Sequence, residues 1–228
     1  MASTWPTSLR RTVWQSAAGN NMTLPIGVLA LQGDFREHAD ALSRIGVSHL
    51  KVRTVAELER VGGLIIPGGE STVMQKLSVA YGLFHPIRAK IAGGLPVFGT
   101  CAGLIMLAND ITDGIVGQET FGGLDVTVQR NAFGNQLDSF EVDLEFAGVT
   151  DATTDEPPVH AAFIRAPLIT RVGEGVDVVS RIPQDDLHPQ GGVVGVRQGN
   201  LLGISFHPEV TGEDRIHRLF ASIVATAN

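Results

Sequence analysis

The only cysteine of the chain, Cys101, follows a strand-like apolar run and has a glycine on each side. It lies in the segment Gly99-Thr-Cys-Ala-Gly103, and a helical pattern begins at Ala102. A strand, a tight glycine-flanked turn and a helix expose a nucleophile, because other side chains would crowd the turn. The helix dipole would favour the thiolate. The pattern predicts a cysteine nucleophile, with a buried core cysteine as the alternative.

A cysteine nucleophile needs a base, and the base needs a group that orients it. His207 closes the apolar run 201–206, and Glu209 follows after Pro208. Ligands of open α/β sheets bind at the carboxyl edge of the strands, where both Cys101 and His207 would lie. We therefore expect His207 to be the base and Glu209 to orient it, with extended backbone bringing their side chains to the same side.

A third element is the glycine-rich turn in residues 64–72. Acyl transfer to a thiol builds negative charge on the carbonyl oxygen, and backbone N–H groups can stabilise that charge. The candidate donors are the N–H groups of Gly69 and Ala102. The alternative is a plain turn in which Ser71 caps the following helix.

Apolar runs that alternate with helical patterns surround these residues in the first half of the chain. Buried apolar strands between helices indicate an α/β fold with an open, mostly parallel sheet flanked by helices, as in flavodoxin-like proteins. The predicted strands are 26–31, 48–52, 63–66 and 95–99, and the predicted helices are 35–45, 71–77, 86–92 and 102–108.

The second half is predicted to add antiparallel strands, since several of its segments alternate polar and apolar residues. We expect residues 22–228 to form a single domain, with the loops 151–158 and 184–192 as flexible excursions. The predicted strands are 124–129, 140–144, 159–164, 176–179, 193–197 and 201–206, and a final helix covers 214–226. His160 in a strand and His38 on a helix face are expected to have structural roles.

Composition excludes several classes of protein. The 228 residues carry 17 Lys and Arg against 24 Asp and Glu, a net charge of −7, and 43% are hydrophobic. This balance argues against intrinsic disorder and against a nucleic-acid or anionic-membrane surface. One cysteine excludes an internal disulfide and a cysteine-rich metal site. No apolar run approaches the roughly 20 residues of a membrane helix.

The first 21 residues differ from the rest, because they contain no Asp or Glu and show no strand or helical period. A twin-arginine or secretory signal would need an apolar stretch after Arg10 and Arg11, and residues 12–21 are polar and small. A transit peptide fits the acid-free composition but is usually longer. We favour a disordered extension.

Taken together, the motifs resemble those of the class I (triad) glutamine amidotransferases, and more narrowly the glutaminase subunit of pyridoxal 5′-phosphate synthase, the PdxT family. The likeness extends from about residue 26 to the C-terminus, whereas residues 1–21 have no counterpart and 184–192 looks longer than usual. The cysteine and His-Pro-Glu motifs are shared across the superfamily, and the segments 31–33, 138–141 and 164–167 single out this branch. The matching segments are 29–33 with 37–38, 67–72, 99–104, 130–131 with 133–134, 138–141, 164–167 and 205–209.

The resemblance implies hydrolysis of L-glutamine to glutamate and ammonia, which passes to a separate synthase subunit in a hetero-oligomeric complex. Cys101 would be the nucleophile, His207 its base and Glu209 the orienting carboxylate. No cofactor or metal is needed, since pyridoxal phosphate would be the product of the complex, and the family implies a cytoplasmic protein. The implied glutamine and oxyanion residues are Gly69, Glu70, Ser71, Ala102, Arg130, Ile164 and Arg165.

Three other functions remain as alternatives. An α/β-hydrolase-like esterase would have the order nucleophile, acid, histidine, whereas this chain has Cys, His, Glu. A redox sensor using Cys101 would leave His207 and Glu209 without a role. The third alternative is a glutaminase that serves another pathway, such as histidine synthesis. Only the branch-specific segments argue against it.

Overall fold

A computed structural model describes residues 24–130, 139–150, 156–184 and 191–227. Strands and helices alternate through the first half, as buried apolar runs between helical patterns predict. The elements are β1 (Ile26–Leu29), α1 (Phe35–Arg44), β2 (His49–Val52), α2 (Val55–Leu58), β3 (Gly63–Ile66), α3 (Ser71–Ala80), α4 (Phe84–Ala92), β4 (Val97–Thr100) and α5 (Ala102–Leu107).

The second half consists mainly of strands and ends in a long amphipathic helix. Its elements are β5 (Ala108–Thr112), β6 (Leu124–Gln129), β7 (Phe140–Leu144), β8 (Val159–Phe163), β9 (Leu168–Val172), β10 (Asp177–Ile182), β11 (Gly192–Gln198), β12 (Leu201–Ile204), α6 (Pro208–Thr211) and α7 (Asp214–Ala227).

Within the described residues, one ten-stranded sheet has the order β2-β1-β3-β4-β12-β11-β9-β6-β5, and β10 pairs with β11. The strands from β2 to β12 in this order are parallel, whereas β11 runs antiparallel to β12 and β9 antiparallel to β6. β7 and β8 form a separate antiparallel pair. The mostly parallel sheet with added antiparallel strands confirms the predicted fold class.

Helices cover both faces of the sheet. Alternate residues of a strand point to opposite faces, so Leu64 and Ile66 of β3 join one buried cluster and Ile65 joins the other. Helices α3, α4 and α5 contribute to the first cluster, and α1 and α7 contribute to the second. No helix in the described ranges is both long and apolar enough to cross a bilayer.

Several elements differ from the sequence-based prediction. β5, β9 and the one-turn helix α2 were not predicted, and the helix predicted to reach Ala108 ends at Leu107, where β5 begins. β5 pairs with β6 in parallel, not antiparallel as expected for this half. The N-terminal 21 residues, and most of the loops 151–158 and 184–192, lie outside the described residues.

Candidate active site

Cys101 lies at the turn between β4 and α5, at the carboxyl edge of the sheet. It is the N-cap residue of α5, with φ 49° and ψ −103°, a backbone conformation that non-glycine residues rarely adopt. Its N–H donates to the carbonyl of Ile204 in the adjacent parallel strand β12 at 2.9 Å. Such strained residues are held by surrounding structure and cluster at functional sites. The geometry is that of a nucleophile elbow.

The two glycines that flank Cys101 are required by close backbone packing. A Cβ on Gly99 would lie 2.5 Å from the carbonyl carbon of Gly103. A Cβ on Gly103 would collide with the carbonyl oxygen of Ile66, at the end of β3. Neither position has room for a side chain, so the elbow can close only because both residues are glycine.

His207 follows β12, whose parallel pairing with β4 brings it to the edge that carries Cys101. Its Nδ1 lies 2.7 Å from Oε1 of Glu209. The expected extended backbone between the two is wrong, because His207 is the N-cap of α6 and Glu209 lies in its first turn. Pro208 accounts for the difference, since its fixed φ suits the first position of a helix.

The charges at this site favour an imidazolium at His207. Burial opposes the charged form, but hydrogen bonds and charges from Cys101 and Glu209 outweigh burial and raise the pKa of His207 well above 6.5. Burial raises the pKa of Glu209, and the contact with His207 opposes that change. The arrangement places a cationic imidazole beside Cys101, which is a setting that activates a cysteine nucleophile.

The turn after β3 packs directly against the imidazole. Gly69 has φ +142°, and a Cβ on Gly68 would collide with the ring of His207. The N–H of Asp34 donates to the Gly68 carbonyl at 3.3 Å. The N–H of Glu70 donates to the side chain of Gln32 at 3.1 Å. The loop after β1 therefore fixes the glycine turn from one side while His207 borders it on the other.

Glu70 and Ser71 open helix α3. The alternative role predicted for Ser71, the helix cap, is wrong, because Glu70 is the N-cap and accepts from the N–H groups of Thr72 and Val73. A carboxylate reaches both donors, and the positive end of the helix dipole favours it there. These hydrogen bonds and the charge of Arg130 lower the pKa of Glu70 although burial opposes them.

Arg130, directly after β6, joins this group. Its guanidinium donates to Glu70 at 3.0 Å and to Gln118 at 2.7 Å. Gln118 in turn donates to the hydroxyl of Ser71 at 3.0 Å. The structure thus brings four polar side chains together beside the glycine turn, and Gln118 was not among the predicted site residues.

The remaining predicted residues lie on neighbouring backbone. Ala102 is the first residue of α5, where an N–H has no intrahelical partner. Ile164 and Arg165 follow β8, expose their side chains, and Arg165 has a positive φ of 48°. The N–H of His207 donates to the carbonyl of Ala162 in β8 at 3.1 Å, so the end of β8 adjoins His207.

One further carboxylate, Asp34, reaches the imidazole. Its Oδ2 lies 3.5 Å from Nδ1 of His207, and donor atoms of Asp34, His207 and Glu209 all lie within 4.8 Å of one another. Three such atoms could hold a metal ion. Because Nδ1 of His207 already bonds to Glu209, we interpret the group as a hydrogen-bonded triad with an adjacent acid.

Comparisons with known proteins agree with this geometry. The model of the SNO glutamine amidotransferase family matches residues 28–226. "Pyridoxal 5′-phosphate synthase subunit PdxT" of Nocardioides sp. is 53% identical, over 87% of this chain and 95% of that protein. The PdxT subunit of Leifsonia xyli subsp. xyli is 55% identical, over 86% of this chain and 93% of that protein.

Solved structures show the same fold. A crystal structure described as a glutamine amidotransferase has a TM-score of 0.77 and 45% identity, and covers 88% of this chain and 98% of that one. PurLQS from Thermotoga maritima, at 18% identity and a TM-score of 0.60, supports the fold alone. With the family model matching nearly the whole described chain, this protein belongs to the SNO glutamine amidotransferase family.

Proposed function

We propose that this chain hydrolyses L-glutamine to L-glutamate and ammonia, and that the ammonia serves a synthase subunit that makes pyridoxal 5′-phosphate. The observation that carries the hydrolysis is the geometry at one sheet edge. Cys101 lies on a strained elbow next to His207 and helps raise the pKa of its imidazole, and Nδ1 of His207 lies 2.7 Å from Oε1 of Glu209. The pathway rests on the similarity to PdxT subunits.

The reaction divides into two acyl transfers. The Cys101 thiolate attacks the side-chain carboxamide of glutamine, and the imidazolium of His207 gives its proton to the departing nitrogen, which leaves as ammonia. A water molecule then attacks the thioester while His207 accepts a proton from it. The C–S bond breaks, glutamate leaves after its new carboxyl group loses a proton to water, and the Cys101 thiolate and the His207 imidazolium are restored. No cofactor takes part in either step.

Two backbone N–H groups are the proposed oxyanion donors. Ala102 offers its N–H at the start of α5, directly after the nucleophile. Gly69 lies in the turn that packs against His207. Each such donor contributes roughly 2.7–4 kcal/mol to transition-state stabilisation, or about 10²–10³ in rate.

The polar group beside the turn suits the two charged ends of an amino acid. Arg130 supplies a guanidinium for the α-carboxylate of glutamine, and Glu70 supplies a carboxylate for its ammonium. In the structure the two side chains bond to each other at 3.0 Å, so a bound glutamine would replace this ion pair with pairs of its own. Ser71, Ile164 and Arg165 line the same pocket in our proposal.

The synthase complex, a cytoplasmic location and a single domain over residues 22–228 also belong to this proposal. A reducing compartment would keep Cys101 a free thiol. The test is a glutaminase assay with the purified chain, alone and with the pyridoxal phosphate synthase subunit. We expect glutamate release, and incorporation of amide nitrogen from labelled glutamine into pyridoxal phosphate. Glutamate release coupled instead to the synthase of histidine biosynthesis would contradict the pathway and leave the hydrolysis standing.

A further inference from the structure

Two buried histidines lie behind the carboxylate of Glu209. His38 of α1 and His217 of α7 are each 0% exposed. Nδ1 of His38 lies 2.9 Å from Nε2 of His217. Nε2 of His38 lies 3.1 Å from the hydroxyl of Thr100 and 3.6 Å from Oε2 of Glu209. A continuous line of polar groups therefore runs from α7 through α1 to the triad.

The second oxygen of Glu209 needs a donor. Its Oε1 bonds to His207, but its buried Oε2 has no hydrogen-bond partner within normal distance among the described residues. A buried carboxylate oxygen without a donor is strongly unfavourable when the group is ionised. His38 Nε2, at 3.6 Å, needs to approach by only about half an ångström to reach hydrogen-bonding distance.

An ionised Glu209 favours one tautomer of His38. With the proton on Nε2, the N–H points toward Thr100 and Glu209, and Nδ1 accepts from Nε2–H of His217. The other tautomer would direct an unshared electron pair at the ionised Glu209. An ionised Glu209 therefore selects the Nε2–H tautomer of His38, and His217 completes it from the far side.

The surroundings keep both histidines neutral. Burial lowers the pKa of His38 well below 6.5, and charges on His217 and His207 act in the same direction. Burial lowers the pKa of His217 to about 4, opposed by Asp214 and Glu213 and reinforced by Arg44. The pair thus offers Glu209 a hydrogen-bond donor without adding a buried charge.

We propose that His38 is a positioning residue of the active site: its Nε2–H holds the second oxygen of Glu209, and His217 keeps His38 in the tautomer that can do so. The inference rests on the proposed glutaminase function. A carboxylate held at both oxygens stays ionised and aligned with His207. The imidazolium, and with it the Cys101 thiolate, then persists to lower pH than it would without His38.

The test uses the alkylation rate of Cys101 by iodoacetamide as a function of pH. Because Cys101 is the only thiol, this rate reports the thiolate and needs neither glutamine turnover nor a partner. In His38→Leu, which lacks the donor, we expect the acid limb of the profile to move up by about one pH unit. His38→Gln, whose amide can still donate to Glu209, should restore most of the wild-type profile.

The matched control is Phe220→Leu. Phe220 packs on Phe98, against which the rings of both His38 and His217 also lie, but its side chain donates no hydrogen bond. This variant should lower the melting temperature and leave the pH profile unchanged. A merely structural role of His38 would make His38→Leu behave in the same way as Phe220→Leu.

Steady-state glutaminase kinetics with the synthase subunit provide the second readout. At a pH on the acid limb of the profile we expect kcat of His38→Leu to be about tenfold below that of wild type, corresponding to the one-unit shift, and to converge with it at higher pH. KM should be unchanged, because the contacts of His38 are with Thr100, Glu209 and His217 and not with the proposed glutamine-binding side chains. If wild type does not hydrolyse glutamine, the proposed function fails, and the alkylation profile still decides the role of His38.

Three results would overturn the inference. One is a wild-type alkylation profile in folded His38→Leu, another is a His38→Gln variant that behaves like His38→Leu, and the third is an equal shift in Phe220→Leu. Should His38→Leu not fold, His217→Leu and His217→Gln decide in its place. His217→Gln keeps a hydrogen-bond donor for Nδ1 of His38, whereas His217→Leu does not. The acid limb of the alkylation profile should therefore move to higher pH in His217→Leu and stay in place in His217→Gln.

Discussion

Cys101, His207 and Glu209 have different proposed roles in glutamine hydrolysis. Substituting each of them should therefore lower the rate of hydrolysis to a different extent. In the proposed mechanism His207, which lies between the thiol and the carboxylate, moves protons in both steps. Glu209 has only the proposed role of orienting and charging the imidazole. Loss of His207 should therefore lower the rate of glutamine hydrolysis more than loss of Glu209.

We predict that His207→Asn lowers kcat for glutamine hydrolysis by about 10³-fold or more, because no group remains to protonate the leaving ammonia. Glu209→Gln should retain measurable turnover above that of His207→Asn, since it removes charge and orientation but leaves the base in place. Ammonia release at saturating glutamine measures both variants. Full activity in His207→Asn would be incompatible with the triad.

His217 should make the fold sensitive to acid. Its pKa is lowered to about 4 by burial, against about 6.5 in the unfolded chain, so the unfolded state binds the extra proton first. The stability this contributes is fully present above pH 6.5 and is lost as pH falls to about 4, by roughly 3 kcal/mol. His217→Gln should therefore flatten the fall in unfolding free energy over this window.

Denaturant unfolding at pH 7, 5.5 and 4.5 measures that slope. His85→Gln is the control, because His85 is an exposed histidine on α4 and its loss should leave the slope unchanged. If the unfolding free energy of wild type and of His217→Gln fell equally with decreasing pH, the lowered pKa of His217 would not be a source of acid sensitivity.

At the scale of elements, the elbow depends on the contact between helix α5 and strand β3. We predict that Gly103→Ala destabilises the protein by about 1–3 kcal/mol or more, because its Cβ would meet the backbone oxygen of Ile66, which cannot rotate away. Gly93→Ala is the control, with φ −78° and its nearest neighbours 3.3 Å and 3.5 Å away. Melting temperatures compare the two, and equal shifts would contradict the packing argument.

Sequence pattern predicted most of these elements but missed those with a weak local signal. β5 carries Asn109 and Asp110 with its side chains largely exposed, so it lacks an apolar run. Helix α2 has a capping box at Thr54 and Glu57 but is only four residues long, too short for helical periodicity. β9 follows Pro167 directly, which obscures where the strand begins.

The proposed site residues were predictable where the signal is local. Cys101 and His207 end adjacent strands, and glycines mark both turns. His38 gave no such signal, because 171 positions separate it from Glu209 and a histidine on a helix face is usually structural. Asp34 and Gln118 likewise gain their roles only through the packing of loops that are distant in the chain.

At the scale of the whole molecule, the glycine turn 67–71 is a candidate control point. The carbonyl of Gly68 accepts from the N–H of Asp34, and the same peptide group carries the N–H of Gly69, the proposed oxyanion donor. A glycine peptide can turn over at low steric cost, so docking of a partner can set its orientation. Coupling would prevent waste of glutamine when no synthase is present.

We predict that the pyridoxal phosphate synthase subunit raises the rate of glutamine hydrolysis, by up to ~10²–10³-fold if the free chain lacks one oxyanion donor. Titrating the synthase subunit against a fixed amount of this chain, with an unrelated protein as control, measures the effect. Equal rates with and without the subunit would refute the control point and leave the triad intact.

The most direct test of the central claim, that Cys101 performs glutamine hydrolysis, compares wild type with Cys101→Ala in the presence of the synthase subunit. The measurement is glutamate formed per active chain, with circular dichroism to show that the variant is folded. We predict turnover in wild type and none above background in Cys101→Ala. Glutamate formation at the wild-type rate by folded Cys101→Ala would contradict the account.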